Sequence, residues 1–376
     1  MSKPDALEDL KDRLLQRAKI GRSPVRPPVT MEDVELFLGR LTSTDRDHWA
    51  EEWSRMAEPW EKRGDVLLMA GKKSEALDAY YHAYRLYYLG RYPVPNSPKK
   101  REAYRHSLRN FLSAAPLFDP PIEQVVLPFE GKEITGYLRL PKAVSKPPVI
   151  FFCGGIDAWK EDEQELIGGF LSSGWGCFVF DIPGTGQSPI LAKPDSDRVF
   201  SAVLDHLQAC PDMDGDRIAI MGISFGGYWA TKIAYTEHRR IRAAVNWGGP
   251  VHAFFQREWQ QKTLQESEYL TDWFEAQAAL YGVSTEEAFL EVLPTLSLQN
   301  QGILGNPSAP LLSVQGKRDT LIPISDLYLL MEKGSPKTAW INPEGAHLGI
   351  SPQFTNESIQ KGVILPWLGI QLSSPS

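Results

Sequence analysis

The chain has 376 residues, of which 42% are hydrophobic and 23% charged, a globular composition with room for an α/β core and a second module. The net charge of −7 and the lack of any basic run with interleaved aromatic residues argue against nucleic-acid binding. No apolar run is long enough to cross a bilayer, and the mixed-charge N-terminus is typical of neither a secretory signal nor a membrane anchor. Three cysteines without metal-ligand spacing favour a reducing compartment, so a cytoplasmic protein is expected.

Residues 1–120 are predicted to be a helical region. Residues 65–89 carry Ala, Leu and Tyr at helical spacing around a Gly-Lys turn, a pattern typical of one helix-turn-helix pair of tetratricopeptide type. No second copy follows at the expected period, so we interpret the apolar stripe as core and not as a peptide-binding array. The proline-rich residues 92–98 must interrupt the helices, because proline removes a backbone donor and clashes with the preceding turn.

The hydrophobic period becomes twofold after residue 121. Residues 122–128 and 133–140 alternate around a Glu-Gly-Lys turn and predict an antiparallel hairpin, and the apolar run 149–152 predicts a strand buried on both faces. Helices and strands then alternate strictly: helix 162–172, strand 176–181, helix 197–208, strand 217–221, helix 225–235 and strand 241–247. This alternation predicts a mostly parallel central sheet covered by helices on both faces.

The alternation stops after residue 248. Residues 252–308 are helical in pattern and rich in aromatic residues, and we interpret them as a cap insertion over the carboxyl edge of the sheet. Strand 310–315, helix 324–332, strand 338–342 and a last helix near 357–368 resume the pattern. The predicted division is a helical N-terminal cap region at 1–120, the first part of the α/β core at 121–251, the cap insertion at 252–308 and the second part of the core at 309–376.

A strand-turn-helix pattern at 217–235 holds the motif Gly222-Ile-Ser-Phe-Gly-Gly227, with Ser224 at its apex. In a G-x-S-x-G elbow the glycines allow a sharp turn with close neighbours, so that the serine hydroxyl stands over the carboxyl edge of the sheet. The bare pattern is weak, but its setting between a strand and a helix is the context that the motif requires. Ser224 is therefore the predicted nucleophile.

A serine near neutral pH needs an imidazole to accept its proton and a carboxylate to orient that imidazole. His347 lies on a glycine-flanked loop after the last predicted strand, whereas most other histidines fall in or beside helices. Asp319 directly follows strand 310–315 and is preferred as the acid over Asp326, which lies within a helix, and over Glu344. These loops all follow strands of one parallel sheet, so Ser224, Asp319 and His347 are expected to meet at one edge.

The tetrahedral intermediate of acyl transfer also needs backbone donors for its oxyanion. One is expected from Phe225, directly after the nucleophile, and the other from the double-glycine loop after strand 149–152. Within that loop the N–H of either Gly155 or Ile156 fits, and the sequence does not decide between them.

Two other kinds of site are disfavoured. The stretch DIPGTGQS at 181–188 lacks the third glycine of a dinucleotide fingerprint and the lysine of a P-loop, so it is interpreted as a loop at the mouth of the pocket. Zinc-ligand spacings such as H-E-x-x-H are absent from the sequence. No cofactor and no metal are therefore expected.

The combination of motifs resembles the α/β-hydrolase group that includes the fermentation-respiration switch proteins, the dihydroxypseudooxynicotine hydrolases and the fungal hydrolases that shorten polyketides. The motifs are GGIDAWKE (154–161), DIPGTGQS (181–188), GISFGG (222–227), NWGGPVHAFFQREW (246–259), GKRDTLIP (316–323) and EGAHLG (344–349). The resemblance spans residues 60–368. It implies an α/β-hydrolase fold, a helical N-terminal region packed with the insertion as a cap, and a homodimer.

Carried over, the resemblance makes Ser224 the nucleophile, Asp319 the acid and His347 the base. Several members of the group cleave a carbon–carbon bond next to a ketone, a reaction that needs a proton donor near the leaving carbon. His252 and Glu258 are the polar candidates for that role, and Phe255 and Trp259 are expected to line an apolar substrate pocket beside them.

The leading hypothesis is thus a cofactor-free serine hydrolase that cleaves a carbon–carbon bond next to a ketone, through an acyl-enzyme, in a medium-sized, partly aromatic substrate of β-diketone or polyketide-like type. A carboxylesterase or thioesterase acting on a medium-sized, partly aromatic ester is the alternative. A non-catalytic regulatory protein that keeps the hydrolase fold is the third, because a fold does not by itself determine a function. No nucleic-acid or membrane partner is expected.

Overall fold

The computed structural model describes residues 3–19, 24–266 and 269–373. The first two residues of the mixed-charge N-terminus, and residues 267 and 268 of the predicted insertion, lie outside the described residues. The chain forms two compact units, which we call the helical unit (Met1–Glu123 with Tyr269–Glu275) and the sheet unit (Gln124–Glu268 with Ala276–Ser376). Within the described ranges, no helix has both the length and the apolar character needed to cross a membrane.

In the N-terminal part of the helical unit, the described residues form five α-helices. They are α1 (Lys3–Lys19), α2 (Met31–Arg40), α3 (Arg46–Met69), α4 (Lys73–Arg91) and α5 (Pro98–Ala114). The reversal between α3 and α4 falls at residues 70–72, around Gly71 with φ 74°, where the sequence predicts the turn of a helical pair. Aromatic side chains form the interior, with the rings of Phe37 and Trp53 stacked 4.0 Å apart.

A short segment from the insertion, residues 269–275, belongs to the helical unit. Asp272 anchors it: Lys100 Nζ lies 2.8 Å from Oδ2, and Arg46 Nη2 lies 2.9 Å from Oδ1. The Lys100 and Asp272 side chains are 2% and 8% exposed, so this ion pair is buried. Asp272 has φ 54°, a left-handed conformation that Asp and Asn tolerate better than most residues.

The sheet unit is built on one eight-stranded sheet with the order β1-β2-β4-β3-β5-β6-β7-β8. The strands are β1 (Glu123–Phe129), β2 (Lys132–Arg139), β3 (Val149–Cys153), β4 (Gly176–Phe180), β5 (Ile218–Ile223), β6 (Ala243–Trp247), β7 (Leu311–Gly316) and β8 (Thr338–Asn342). β2 pairs antiparallel with β4, and β4, β3, β5, β6, β7 and β8 pair parallel. The predicted mostly parallel sheet is confirmed.

Helices connect these strands much as the alternating pattern predicts. They are α6 (Gln164–Ser172), α7 (Arg198–Ala209), α8 (Phe225–Thr236) and α12 (Ile324–Glu332). The predicted last helix is instead interrupted: α13 (Asn356–Ile359) and α14 (Leu365–Ser373) flank a wider turn at Gln360–Ile364. Gln360 is buried there and donates through Nε2 to the Leu166 carbonyl at 2.7 Å, a tertiary contact that helical periodicity does not reveal.

Between β6 and β7 the chain forms short helices, as the sequence pattern of residues 252–308 predicts. They are α9 (Arg257–Glu266), α10 (Trp273–Tyr281) and α11 (Glu286–Val292). The start of the insertion is held by Asp326 of α12, whose Oδ2 accepts hydrogen bonds from the N–H groups of Val251 at 2.8 Å and Phe254 at 3.3 Å. Asp326 therefore has a structural task as a cap for this segment.

Candidate active site

The turn between β5 and α8 holds Ser224 at its apex. Ser224 has φ 53° and ψ −124°, a backbone conformation that residues other than glycine seldom adopt. A methyl group at Gly222 would overlap the Gly226 carbonyl oxygen, and one at Gly226 would overlap the Gly154 carbonyl oxygen. The glycines of the motif are thus required by close backbone contact, and the strained turn presents the serine hydroxyl at the carboxyl edge of the sheet.

The loop after β8 carries His347 and is held from two strand ends. Trp247, the last residue of β6, donates through Nε1 to the carbonyl of Leu348 at 2.8 Å. Asn342, the last residue of β8, donates through Nδ2 to the Gly349 carbonyl at 2.9 Å. Leu348 has φ 65°, so the loop keeps a tight, strained shape under these contacts.

Asp319 follows β7, and its side chain is fully buried. Its Oδ1 accepts hydrogen bonds from the N–H groups of Leu321 at 2.8 Å and Ile322 at 2.9 Å. Its Oδ2 is left to face His347. The same loop is tied to the insertion, because Trp259 of α9 donates through Nε1 to the Leu321 carbonyl at 3.0 Å.

The structure brings Ser224, His347 and Asp319 together in one hydrogen-bonded relay. His347 Nδ1 lies 2.8 Å from Asp319 Oδ2, and His347 Nε2 lies 2.9 Å from Ser224 Oγ. Because a carboxylate accepts hydrogen bonds, Nδ1 carries the proton, and Nε2 of the neutral imidazole accepts from the serine hydroxyl. This arrangement can remove the serine proton and stabilise the imidazolium that forms.

The two carboxylates weighed against Asp319 have other partners. Asp326 caps the N–H groups at the start of the insertion, and Glu344 is exposed and pairs with Arg318. Among the described contacts, Asp319 is the carboxylate that bonds to His347. The position directly after a parallel strand was therefore the informative feature of the sequence.

The predicted oxyanion donors also lie beside the serine. Phe225 is the first residue of α8, so its N–H has no acceptor within the helix. A methyl group at Gly155 would lie 3.2 Å from Ser224 Cβ and 3.7 Å from its Oγ, which places this loop against Ser224. The Ile156 carbonyl accepts a hydrogen bond from Trp159 Nε1 at 2.8 Å, so the loop is folded back on itself. Gly155 and Ile156 both remain candidates.

A buried charged network that the sequence pattern does not reveal supports the same loop. Lys160 is 0% exposed, and its Nζ lies 2.7 Å from both Asp181 Oδ2 and Glu161 Oε1. Asp181 Oδ2 also accepts from the Gln187 N–H at 2.8 Å. The network thus joins the loop after β3 to the DIPGTGQS loop after β4. A lysine among acidic residues is typical of a solvated surface, so the sequence does not predict the burial of Lys160.

Aromatic rings surround Phe225, the residue that follows Ser224. The Phe225 ring lies 6.3 Å from Phe254, 6.2 Å from Phe255 and 6.4 Å from Tyr281, measured between ring centroids. Tyr228 lies 5.2 Å from Phe255. Of the predicted pocket residues, Phe255 therefore lies next to the turn that holds Ser224.

The other predicted pocket residues make contacts elsewhere. His252 Nδ1 lies 2.7 Å from Ser297 Oγ, so this imidazole is engaged within the insertion. Glu258 is exposed on α9, and no contact in the described part of the chain joins it to the relay. Trp259 is bonded to the Leu321 carbonyl, which makes it a support for the Asp319 loop.

Sequence comparison identifies related proteins. The family model described as "Esterase FrsA-like" matches residues 37–339. Esterase FrsA of Photobacterium profundum is 25% identical over 295 residues, which cover 77% of this chain and 69% of that protein. The alpha/beta hydrolase ucsC of an Acremonium species is 29% identical over 269 residues, which cover 63% of this chain and 53% of that protein.

Solved structures with the same fold include two that span nearly the whole chain. The 2,6-dihydroxy-pseudo-oxynicotine hydrolase matches with a TM-score of 0.74 and 21% identity, covering 98% of this chain and 95% of that chain. Wild-type AbyA5 matches with a TM-score of 0.71 and 21% identity, covering 97% of this chain and 94% of that chain. At this level of identity the likeness establishes the shared fold.

Proposed function

Since the chain belongs to the esterase FrsA-like family and is a serine hydrolase with the α/β-hydrolase fold, we propose that it hydrolyses a carbonyl substrate through an acyl-enzyme on Ser224. The relay from Ser224 through His347 to Asp319 is the observation that carries this proposal. In it Ser224 is the nucleophile, His347 is the general base and Asp319 orients the imidazole.

The reaction follows from these positions. Ser224 Oγ attacks the substrate carbonyl carbon while its proton passes to His347 Nε2. The resulting oxyanion accepts hydrogen bonds from the Phe225 N–H and from the N–H of Gly155 or Ile156. Collapse of the intermediate expels the leaving group, which takes the proton from the imidazolium. Water, activated by the same imidazole, then hydrolyses the acyl-enzyme.

An ester or thioester is the first candidate substrate. A leaving oxygen or sulfur can take its proton directly from His347, so no further acid is needed. The matching family model and the FrsA relatives are described as esterases, which supports this choice. The rings around Phe225 favour an apolar, partly aromatic compound of medium size.

Cleavage of a carbon–carbon bond next to a ketone is the second candidate. A leaving carbanion must be protonated at carbon, which calls for a donor beyond the relay. His252 favours this alternative, because it is half-buried on the segment after β6, three positions before Phe255, whose ring contacts Phe225. His252 can act as this proton donor only if its imidazole gives up the hydrogen bond to Ser297 and turns to the leaving carbon of the substrate.

Two measurements test the proposal. Wild-type protein should be labelled by a fluorophosphonate probe, and Ser224→Ala should neither be labelled nor turn over substrate while keeping its folded circular dichroism spectrum. A wild type that resists labelling would overturn the assignment. A panel of p-nitrophenyl esters beside β-diketones then separates the two candidates, since a carbon–carbon hydrolase should prefer the diketones and should lose that preference in His252→Gln.

A further inference from the structure

Gln277 of α10 is completely buried with its polar end unpaired. It is 0% exposed, and neither Oε1 nor Nε2 has a hydrogen-bond partner among the described residues. Tyr281 of the same helix is 7% exposed, and its hydroxyl has no partner there either. Buried polar groups are nearly always hydrogen-bonded in native proteins, because an unmade bond destabilises the folded state. Two such groups on one helix therefore call for an explanation.

Gln277 and Tyr281 both lie near the carboxyl edge of the sheet, where Ser224 is found. Residues four apart lie on the same face of a helix, so Gln277 and Tyr281 share one face of α10. The Tyr281 ring contacts Phe225, the residue next to the nucleophile. The Leu280 carbonyl of the same helix accepts a hydrogen bond from Ala192 at 2.8 Å, in the loop region after β4. α10 thus packs against two segments that follow the carboxyl ends of strands.

The chemistry of the two side chains defines what they can bind. A carboxamide offers two N–H donors and one carbonyl acceptor, and a phenol can donate or accept. Burial raises the pKa of Tyr281 well above its ordinary value, so its hydroxyl keeps its proton and can donate. The neighbouring Tyr228 hydroxyl already accepts from Gln301 Nε2 at 3.3 Å. A ligand oxygen that accepts, or a hydroxyl that also donates, would satisfy Gln277 and Tyr281.

We propose that Gln277 and Tyr281 form a polar subsite that selects substrates with a second oxygen function, a hydroxyl or a carbonyl, besides the bond that is cleaved. This inference rests on the proposed acyl-enzyme function. The rings of Phe225 and Phe255 contact the hydrocarbon part of the substrate, and the subsite forms hydrogen bonds with its second oxygen. A site whose polar groups stay unpaired without that oxygen discriminates strongly against analogues that lack it.

The test compares matched substrates on matched variants. p-Nitrophenyl butyrate against p-nitrophenyl 3-hydroxybutyrate probes the acyl half, and phenyl butyrate against 3-hydroxyphenyl butyrate probes the leaving half. The variants are Gln277→Leu and Tyr281→Phe, which keep the volume and remove the polar atoms. Tyr235→Phe is the control, because the Tyr235 hydroxyl is also buried and without a partner among the described residues but lies at the far end of α8.

The wild type should prefer the oxygenated member of at least one pair. In Gln277→Leu the ratio of kcat/KM values for that pair should fall about tenfold or more, with a smaller fall in Tyr281→Phe and none in Tyr235→Phe. Gln277→Leu should also melt about 2 °C higher, because it loses an unpaired buried group. Labelling of Ser224 by fluorophosphonate should be unchanged in the control Tyr235→Phe.

Two outcomes would overturn the subsite. One is a wild type without preference in either pair, and the other is a wild-type ratio of kcat/KM values in the variants, whether the two values are unchanged or fall equally. Tyr281→Phe keeps the question decidable if Gln277→Leu fails to fold. Failure of the proposed function would be distinct, since the wild type would then neither be labelled nor hydrolyse the plain esters.

Discussion

The two units each bury a lysine–aspartate pair, and the pairs serve different ends. In the helical unit, Lys100 and Asp272 join residues far apart in sequence and hold the segment 269–275 among the helices. In the sheet unit, Lys160 and Asp181 join two loops at the carboxyl edge of the sheet. The same interaction thus fixes tertiary connectivity in one unit and the shape of a candidate site in the other.

The units also differ in where their backbone is strained. In the sheet unit, Ser224 and Leu348 have positive φ within the relay or directly beside it, while Glu130 and Lys146 have positive φ in exposed loops. In the helical unit, Asp272 is the described non-glycine residue with positive φ, and it lies at an ion pair. Strain at the carboxyl edge of the sheet therefore coincides with the proposed catalytic relay, and local substitutions should affect the two units differently.

The largest effect is expected from Gly222→Ala in the sheet unit. The added methyl group would overlap the Gly226 carbonyl oxygen, so the backbone of the turn that holds Ser224 must shift. We expect a loss of about 3 kcal/mol in unfolding free energy and a fall of at least about a hundredfold in the rate of fluorophosphonate labelling. Urea denaturation and labelling kinetics check this, and wild-type labelling would show that the close contact is not required.

Asp272→Asn should give the next largest effect, in the helical unit. Asn tolerates the left-handed conformation, so the substitution isolates the loss of charge opposite the buried Lys100. Breaking one partner of a buried pair should lower the unfolding free energy by about 3 kcal/mol at pH 7. Glu102→Gln, which removes an exposed partner of Lys99, is the control and should change little in urea denaturation.

The effect of Asp272 should also depend on pH. Burial acts to raise the pKa of Asp272, but Lys100 and Arg46 outweigh it, so the pKa lies below its ordinary value. Such a carboxylate stabilises the fold above its unfolded-state pKa of about 3.9, and this stability is lost as the pH falls through the folded-state pKa. Burial lowers the pKa of Lys100, so this lysine loses its charge at a less alkaline pH than an exposed lysine does.

The difference in unfolding free energy between wild type and Asp272→Asn should therefore be constant from about pH 7 to pH 5 and shrink below about pH 4. Urea denaturation across this range measures it. A difference that persists unchanged at about pH 3 would show that charge is not what Asp272 contributes.

Trp247→Phe should have a moderate effect on the sheet unit. It removes the Nε1 donor to the Leu348 carbonyl and loosens the loop that carries His347. We expect a loss of about 1–3 kcal/mol in unfolding free energy and about a tenfold lower kcat with KM nearly unchanged. Trp367→Phe, which removes an exposed indole bond to Thr338, is the matched control. Equal kinetics in the two variants would argue against loop positioning by Trp247.

The smallest effect, and one of opposite sign, is expected from Gly39→Ala in the helical unit. Gly39 is exposed in α2, and an added methyl group meets nothing within 4 Å. The same substitution that disrupts Gly222 should here raise the unfolding free energy by about 0.5 kcal/mol, because alanine favours the helix. Destabilisation would mean that the helix end needs glycine for another reason.

Much of the sheet unit could be predicted because its strands and helices alternate in a pattern that is visible in short stretches of the sequence. Ser224, Asp319 and His347 each follow a strand, and parallel strands bring their carboxyl ends to one edge whatever the intervening chain does. The residues that support them could not be predicted in the same way. Lys160 and Trp247 act through tertiary contacts, and nothing in their neighbouring sequence distinguishes a buried lysine from a solvated one.

The insertion shows the same limit. Its helical character was predictable from periodicity, but the membership of 269–275 in the helical unit depends on Lys100 and Arg46, which lie far away in sequence. The polarity of His252 and Glu258 and their proximity in sequence to β6 predict a place for both in the site. The structure gives His252 a partner in Ser297 and leaves Glu258 exposed, because the direction of a helix face depends on its packing.

The path of the chain has a consequence for recombination and for the search for a minimal catalyst. The polypeptide changes units after residues 123, 268 and 275, so no single cut separates them. A fragment that begins at residue 124 would retain Asp272 while discarding Lys100 and Arg46. Trimming the protein to its sheet therefore means excising residues 269–275 as well and closing the gap with a new linker.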